Sequence, residues 1–238
     1  MRTRLLLLLI VIAWIPVAAQ AQVSGPVHRE WEFGVFGTAV SASERTVATP
    51  VTGVSGQTSR GVSLRLAKAA EMGFGIAQNL GRHWAANVEY SFSNQPLTFK
   101  NLADAVPTFQ AGQAVHRMTY EILYLPRARN QRLRPYVFAG PGITLFHIHK
   151  KSKTAASALG MHLNDPWKPT FNWGGGVKFL FQDHLAVNVR FSDTISGLPR
   201  YGLPRTAAFW ASQFHPGLDA RGVMHSWRFG AGLIYEWD

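Results

Sequence analysis

The sequence predicts an all-β fold, an eight-stranded antiparallel up-and-down transmembrane β-barrel, on three observations. Apolar and polar residues alternate at period two in seven separate segments, and an eighth reads as a strand with two apolar or small faces. Long and short connections between those segments alternate strictly along the chain. The chain is 47% hydrophobic and 12% aromatic with only 16% charged residues, yet no apolar run suffices for a spanning helix, which takes about 20 residues.

Residues 1–21 read as a cleavable signal peptide. Arg2 and Arg4 give a positive start, Leu5 to Ile15 an apolar stretch, and Ala19-Gln20-Ala21 a small-x-small cleavage site before Gln22. Residues 22–29 then make a short N-terminal periplasmic segment and 30–238 the barrel. The chain has no Cys, which rules out a lipobox anchor, thiol nucleophiles and thiolate metal sites. Loss of Arg2 and Arg4 lowers the formal charge from +11 to +9. In an exported chain such a balance points to lipid phosphates as the polyanionic neighbour, not to nucleic acid.

The strands follow from alternation, which sends successive side chains to opposite faces. Trp31, Phe33 and Val35 oppose Glu30, Glu32 and Gly34. Met72, Phe74 and Ile76 oppose Glu71, Gly73 and Gly75. Trp84, Ala86, Val88, Tyr90 and Phe92 oppose Ala85, Asn87, Glu89 and Ser91. Met118, Tyr120, Ile122 and Tyr124 oppose Arg117, Thr119, Glu121 and Leu123. Pro135 to His147 is a strand with two apolar or small faces, so its facing stays open. Trp173, Val177, Phe179 and Phe181 oppose Gly174, Gly176 and Lys178. Leu185, Val187, Val189 and Phe191 oppose Ala186, Asn188, Arg190 and Ser192. Trp227, Phe229, Ala231, Leu233, Tyr235 and Trp237 oppose Arg228, Gly230, Gly232, Ile234 and Glu236.

Three connections are short: Leu80 to His83, Pro126 to Arg134, and Gln182 to His184. Four are long: Ser43 to Ala70, Ser93 to Ala114, Ile148 to Pro169, and Thr194 to Val223. Short periplasmic turns and long outer loops are the pattern of an outer-membrane barrel, and they put both termini in the periplasm. Arg60 to Lys68 reads equally as a strand extension above the membrane or as loop.

The interior of an eight-stranded barrel is just wide enough to be filled with side chains. The Trp-, Tyr- and Phe-rich faces therefore belong outside and the small and polar faces inside. A soluble, lipocalin-like barrel is the alternative. Inward polar faces form a lumen charge network of Glu32, Glu89 and Glu121 with Arg117, Lys178, Arg190 and Arg228. Unpaired, such buried charges would cost several kcal/mol each, so a salt-bridged plug is expected, with a narrow pore or small-molecule conduit as the alternative. Trp31, Trp84, Tyr124, Trp173, Tyr235 and Trp237 sit where interface aromatics would form girdles.

Site candidates are few, and no cofactor, metal or catalytic residue is expected. His147 and His149 share a face and adjoin His162, a set with some metal-binding chemistry but no carboxylate fixed by spacing. His225 and Ser226 are neighbours on a strand and point to opposite faces, so they cannot serve as base and nucleophile for one substrate. Lys150, Lys151, Lys153 and Lys168 in the third long loop, and Arg200, Arg205 and Arg221 in the fourth, make basic outer loops near lipopolysaccharide phosphates.

Several phrases resemble a known family. PYVFAGPG (Pro135 to Gly142) is similar to the fifth strand of the small outer-membrane β-barrel domain family, relatives of the OmpA and OmpX barrels. GGGVKFLFQDHLAVNVRFSD (Gly174 to Asp193) is similar to its sixth and seventh strands, and QNLGRHWAANVEYSF (Gln78 to Phe92) to its second and third. The resemblance implies a non-enzymatic outer-membrane barrel, structural or surface-interacting, without a peptidoglycan-binding domain. It also implies contact with the barrel-assembly machinery through the C-terminal strand, although Trp237 here is penultimate rather than terminal. Membrane-embedded lipid A deacylases keep a His and a Ser two apart followed by Asn. The nearest stretch, Ser192 to Gly197, lacks both the His and the Asn, so a lipid A-modifying enzyme is the least favoured reading.

Overall fold

A computed structural model describes residues 30–48, 62–103, 106–127, 131–159, 161–203, 208–210, 213–215 and 222–238. The expected signal peptide and the segment at 22–29 lie outside the described residues, as do Arg205 and Arg221. Eight strands close into an antiparallel barrel: β1 (Trp31–Ala42), β4 (Ala69–Asn79), β5 (Trp84–Asn94), β8 (Gln113–Tyr124), β9 (Leu133–Ile148), β10 (Trp167–Gln182), β11 (Leu185–Gly197) and β14 (Val223–Trp237). All eight expected strands are present, each paired with its sequence neighbours in the barrel, and β14 pairs with β1 from Trp31↔Trp237 to Ala42↔Ser226 to complete it.

The facing left open for the fifth strand is settled. In β9, Tyr136, Phe138, Thr144, Phe146 and Ile148 are buried, whereas Val137 and His147 are exposed. Exposed large side chains cover the outer wall, among them Phe33, Val35, Phe74, Ile76, Val177, Phe191, Phe229 and Leu233. A water-exposed belt of that composition would be very costly; facing hydrocarbon it costs nothing, which makes this a membrane-spanning barrel.

Some aromatics nonetheless point inward within the lumen, among them Phe36 from β1, and Tyr136 and Phe138 from β9. Glycines opposite them make the room. A Cβ on Gly174 would stand 2.9 Å from the Phe138 ring, and one on Gly176 2.7 Å from the Tyr136 ring. Gly174 and Gly176 thus serve close approach inside the lumen.

At one end the turns are tight. Leu80–His83 links β4 to β5 through Gly81 at φ 145°, a conformation that only glycine adopts readily. Asp183 and His184 link β10 to β11. At the other end the long connections are partly ordered. β2 (Arg45–Ala48), β3 (Val62–Leu66), β6 (Leu97–Ala103) and β7 (Val106–Ala111) form a separate four-stranded sheet in the order β2-β3-β6-β7. The stretch that could be strand or loop therefore contains a strand, β3. β7 is an edge strand of that sheet, which is where Pro107 is tolerated. β12 (Ala208–Trp210) pairs with β13 (Gln213–His215) in the fourth long connection.

The third long connection holds a helix, α1 (Lys150–Ala158), which alternation could not signal because only Ala156 on it is buried. The inner faces of β3, β6 and β7, with Ala156, Met161, Leu163, Leu198 and Tyr201, build an apolar core above the barrel mouth. Tyr201 lies fully buried there, edge-on to Phe99 and Phe146.

Candidate functional site

The residues brought together by the fold lie in the lumen, because alternation places one polar position of each strand at similar height inside a narrow cylinder. In the layer nearest the outer mouth, Glu71 of β4 receives Arg117 of β8 and Arg228 of β14, the latter through Nε at 2.7 Å and Nη2 at 2.5 Å. Arg228 Nη2 also reaches Glu89 Oε1 at 2.9 Å. In the middle layer, Arg190 of β11 bridges Glu89 Oε2 at 2.5 Å and Glu121 Oε1 at 2.6 Å. Nearest the turns, Lys178 pairs with Glu32 and Arg134 with Glu236.

Neutral groups complete the network. Glu121 accepts hydrogen bonds from Asn87 Nδ2 (3.1 Å), Thr119 Oγ1 (3.1 Å) and Asn172 Nδ2 (2.5 Å). The Arg190 guanidinium lies 3.9 Å from the Phe138 ring centre, and Lys178 lies 5.6 Å from that of Tyr136, where the ring faces attract cations. Tyr136 donates to Asn188 Oδ1 at 2.8 Å.

All seven residues expected inside are in this network. Glu71, Arg134 and Glu236 belong to it as well, giving five acids against five bases among the described residues. Glu71 and Glu236 already stood on the polar faces of their strands. Arg134 was missed because the strand begins at Leu133, two residues before Pro135. Cavities of about 50 and 30 Å³ lie beside the network, room for isolated waters rather than a solute.

Of the interface aromatics, Trp31, Trp84, Tyr124, Tyr235 and Trp237 sit on the outer wall at the tight-turn end. There Trp84 contacts Tyr124 (5.0 Å between ring centres) and Tyr235 stacks on Trp237. Trp173 lies in the opposite half of the wall, opposite Asp193 of β11, which in turn pairs with Trp227.

On the outer rim, Lys150, Lys151 and Lys153 fall in the first turns of α1, and Lys168 on the outer end of β10 rather than in a loop. Lys153 Nζ (2.8 Å), His147 Nδ1 (2.9 Å) and the Ile148 N–H (2.9 Å) all reach Asp165. Burial raises the Asp165 carboxyl, but these hydrogen bonds outweigh it and hold it below the ordinary aspartate range. His147 is thus tied to a carboxylate, and no cluster of three metal-ligating side chains occurs among the described residues. His225 Nδ1 lies 2.6 Å from Asp193 Oδ2, while Ser226 is buried on the other face of β14.

With this geometry in view, solved structures of bacterial outer-membrane proteins align over nearly the whole chain, OprG and AlkL among them. OprG from Pseudomonas aeruginosa matches with a TM-score of 0.57 at 15% identity, covering 88% of this chain and 97% of its own. AlkL, determined by solid-state NMR in lipid bilayers, matches with a TM-score of 0.50 at 11% identity, covering 91% and 95%. The fold is that of the small outer-membrane β-barrels. The likeness is to that class at large and not specifically to OmpA and OmpX, because strand phrases such as PYVFAGPG report barrel walls rather than one lineage. No protein-family model and no curated protein matches the sequence.

Proposed function

We propose that this chain is a non-enzymatic outer-membrane barrel with a plugged lumen, whose basic outer rim holds phosphate groups of lipopolysaccharide. The observation that carries the reading is the half-buried position of Lys168 at the outer end of β10, where it has no acidic partner among the described residues and is repelled by Arg200. A bound phosphate would relieve that repulsion through charge-assisted hydrogen bonds. Lys150 and Lys151 add to it from the first turn of α1, which carries no acid to complement the helix dipole.

The enzyme reading has little support in the site geometry. Asp193 and His225 form a pair on the lipid side of the wall, but the adjacent Ser226 faces inward. The regular alternation of β14, ending in Tyr235 and Trp237, supports its role as the signal read by the barrel-assembly machinery.

The test is binding of purified lipopolysaccharide to the refolded barrel in detergent, compared with a quadruple variant Lys150→Gln, Lys151→Gln, Lys168→Gln and Arg200→Gln. The reading requires weaker binding by the variant and a shallower salt dependence. Equal binding and equal salt dependence would remove the rim from the account.

A further inference from the structure

The outer wall has one marked depression. Along the outer half of β1 the lipid-facing residues are Gly37, Ala39 and Ser41, the smallest such run on the described wall, spanning about 14 Å of strand. Bulky ridges flank it: Met72 and Phe92 on one side, Phe191, Trp227 and Phe229 on the other. The result is an apolar groove of about 1170 Å³ open to the side. A Cβ added to Gly37 would meet nothing within 4 Å, so a larger side chain fits there without moving the strand.

Lys68 stands at the outer end of this groove, exposed and without an ion pair among the described residues. Its backbone is not free to wander. The neighbouring Ala67 donates its N–H to Pro96 O at 2.8 Å and accepts from Gln95 Nε2 at 2.9 Å. Glu71 and Arg228 border the groove, but their buried side chains turn inward and pair with each other in the lumen at 2.5 Å. Glu44, an acid of the same rim, is taken by Lys100 (3.1 Å) and Ser63 (2.9 Å).

We infer that this groove seats one acyl chain of an outer-leaflet lipid A molecule whose phosphate is held by Lys68. Hydrocarbon is as apolar as the groove walls, so burial alone gives no preference over bulk lipid. What distinguishes the site is a channel that a flexible chain fills and stiff rings cannot, ending on a fixed cation at headgroup level. The inference rests on the reading that this barrel binds lipopolysaccharide phosphates, and it adds a second, wall-side site separate from the rim.

Native mass spectrometry of the refolded barrel in detergent tests it, with bis-phosphorylated lipid A and zwitterionic phosphatidylcholine as the two probes. The wild type is expected to retain lipid A in preference to phosphatidylcholine. Gly37→Phe, which fills the groove, is expected to lose the groove-bound lipid A, with Ala39→Phe as a second filling variant should the first not assemble. Lys68→Gln is expected to reduce the preference for lipid A about fivefold, the factor for one surface cation facing anionic lipid. Heat-modifiable gel mobility verifies assembly of each variant. Lipid A retention unchanged in both filled variants overturns the groove, and equal retention of the two lipids by wild type overturns the role of Lys68. If the quadruple rim variant alone loses lipid A, the groove inference falls while the rim reading stands; retention by no variant and not by wild type sinks both.

Discussion

Arg190 on β11 and Glu89 on β5 stand on opposite walls of the barrel and meet across its axis at 2.5 Å. Three strands lie between them in either direction around the cylinder. Their contact, shared with Glu121 on one side and Arg228 on the other, spans the full diameter and ties the walls together. It also decides what the molecule loses when one charge is removed.

Arg190→Leu leaves Glu89 and Glu121 facing each other in the lumen without their shared cation. Breaking a buried network from one side costs about 3–5 kcal/mol. A urea titration of folding into vesicles should show a lowered midpoint of that order. Adding Glu89→Gln should restore part of it, because one of the stranded carboxylates is then neutral. A single variant as stable as wild type would mean that the network contributes nothing.

The outer wall makes a depth-dependent prediction. Phe74 faces outward midway along its strand, level with Val35 and Tyr90, whereas Trp84 lies at the tight-turn end. Phe74→Arg should destabilise the barrel by about 2–4 kcal/mol and Trp84→Arg by about 0–1 kcal/mol. Equal costs at the two positions, measured by the same urea titration, would contradict the orientation in the bilayer.

Asp165 gives a pH dependence on the outer rim. Its carboxyl is held below its ordinary range in the folded state, so its contribution is fully present above the unfolded aspartate pKa and disappears as pH falls through the lower folded value. The protection of the α1 amides against hydrogen exchange, relative to their intrinsic rates at each pH, should therefore fall on acidification through that window. In Asp165→Asn the amides should exchange fast already at neutral pH, with no further acid step. An unchanged acid step in the variant would assign it to another group.

Most of the barrel was legible in the sequence, and the reason is physical. Hydrocarbon outside and a crowded polar lumen inside impose period-two alternation on every wall strand, as in Trp84–Phe92 or Leu185–Ser192. The lumen network was legible for the same reason, except where the strand limit hid Arg134. Phe36, Tyr136 and Phe138 break the rule that large rings face lipid. Their inward turn depends on glycines of neighbouring strands, Gly73, Gly174 and Gly176, which are far away in sequence. Within the long connection Ser93 to Ala114, Leu97, Phe99, Phe109 and Ala111 alternate with Thr98, Lys100, Thr108 and Gln110, too briefly to mark a sheet of their own. The inner face of the outer sheet is covered by equally distant residues, among them Tyr201, Met161, Leu163 and Leu198. α1 gave no signal because Lys and Ala residues form a helix without an apolar stripe. The wall-side groove was invisible for a simpler reason: small residues on β1 make a depression only once β4, β5, β11 and β14 stand beside them.

The central claim is a membrane-spanning barrel closed from within by its salt bridges. Single-channel recording of the refolded protein in a planar bilayer tests it most directly. A quiet baseline with no defined steps is expected, since the lumen is packed around its salt bridges and the cavities beside them measure about 50 and 30 Å³. Stable conductance steps of uniform size from the wild-type protein would contradict it.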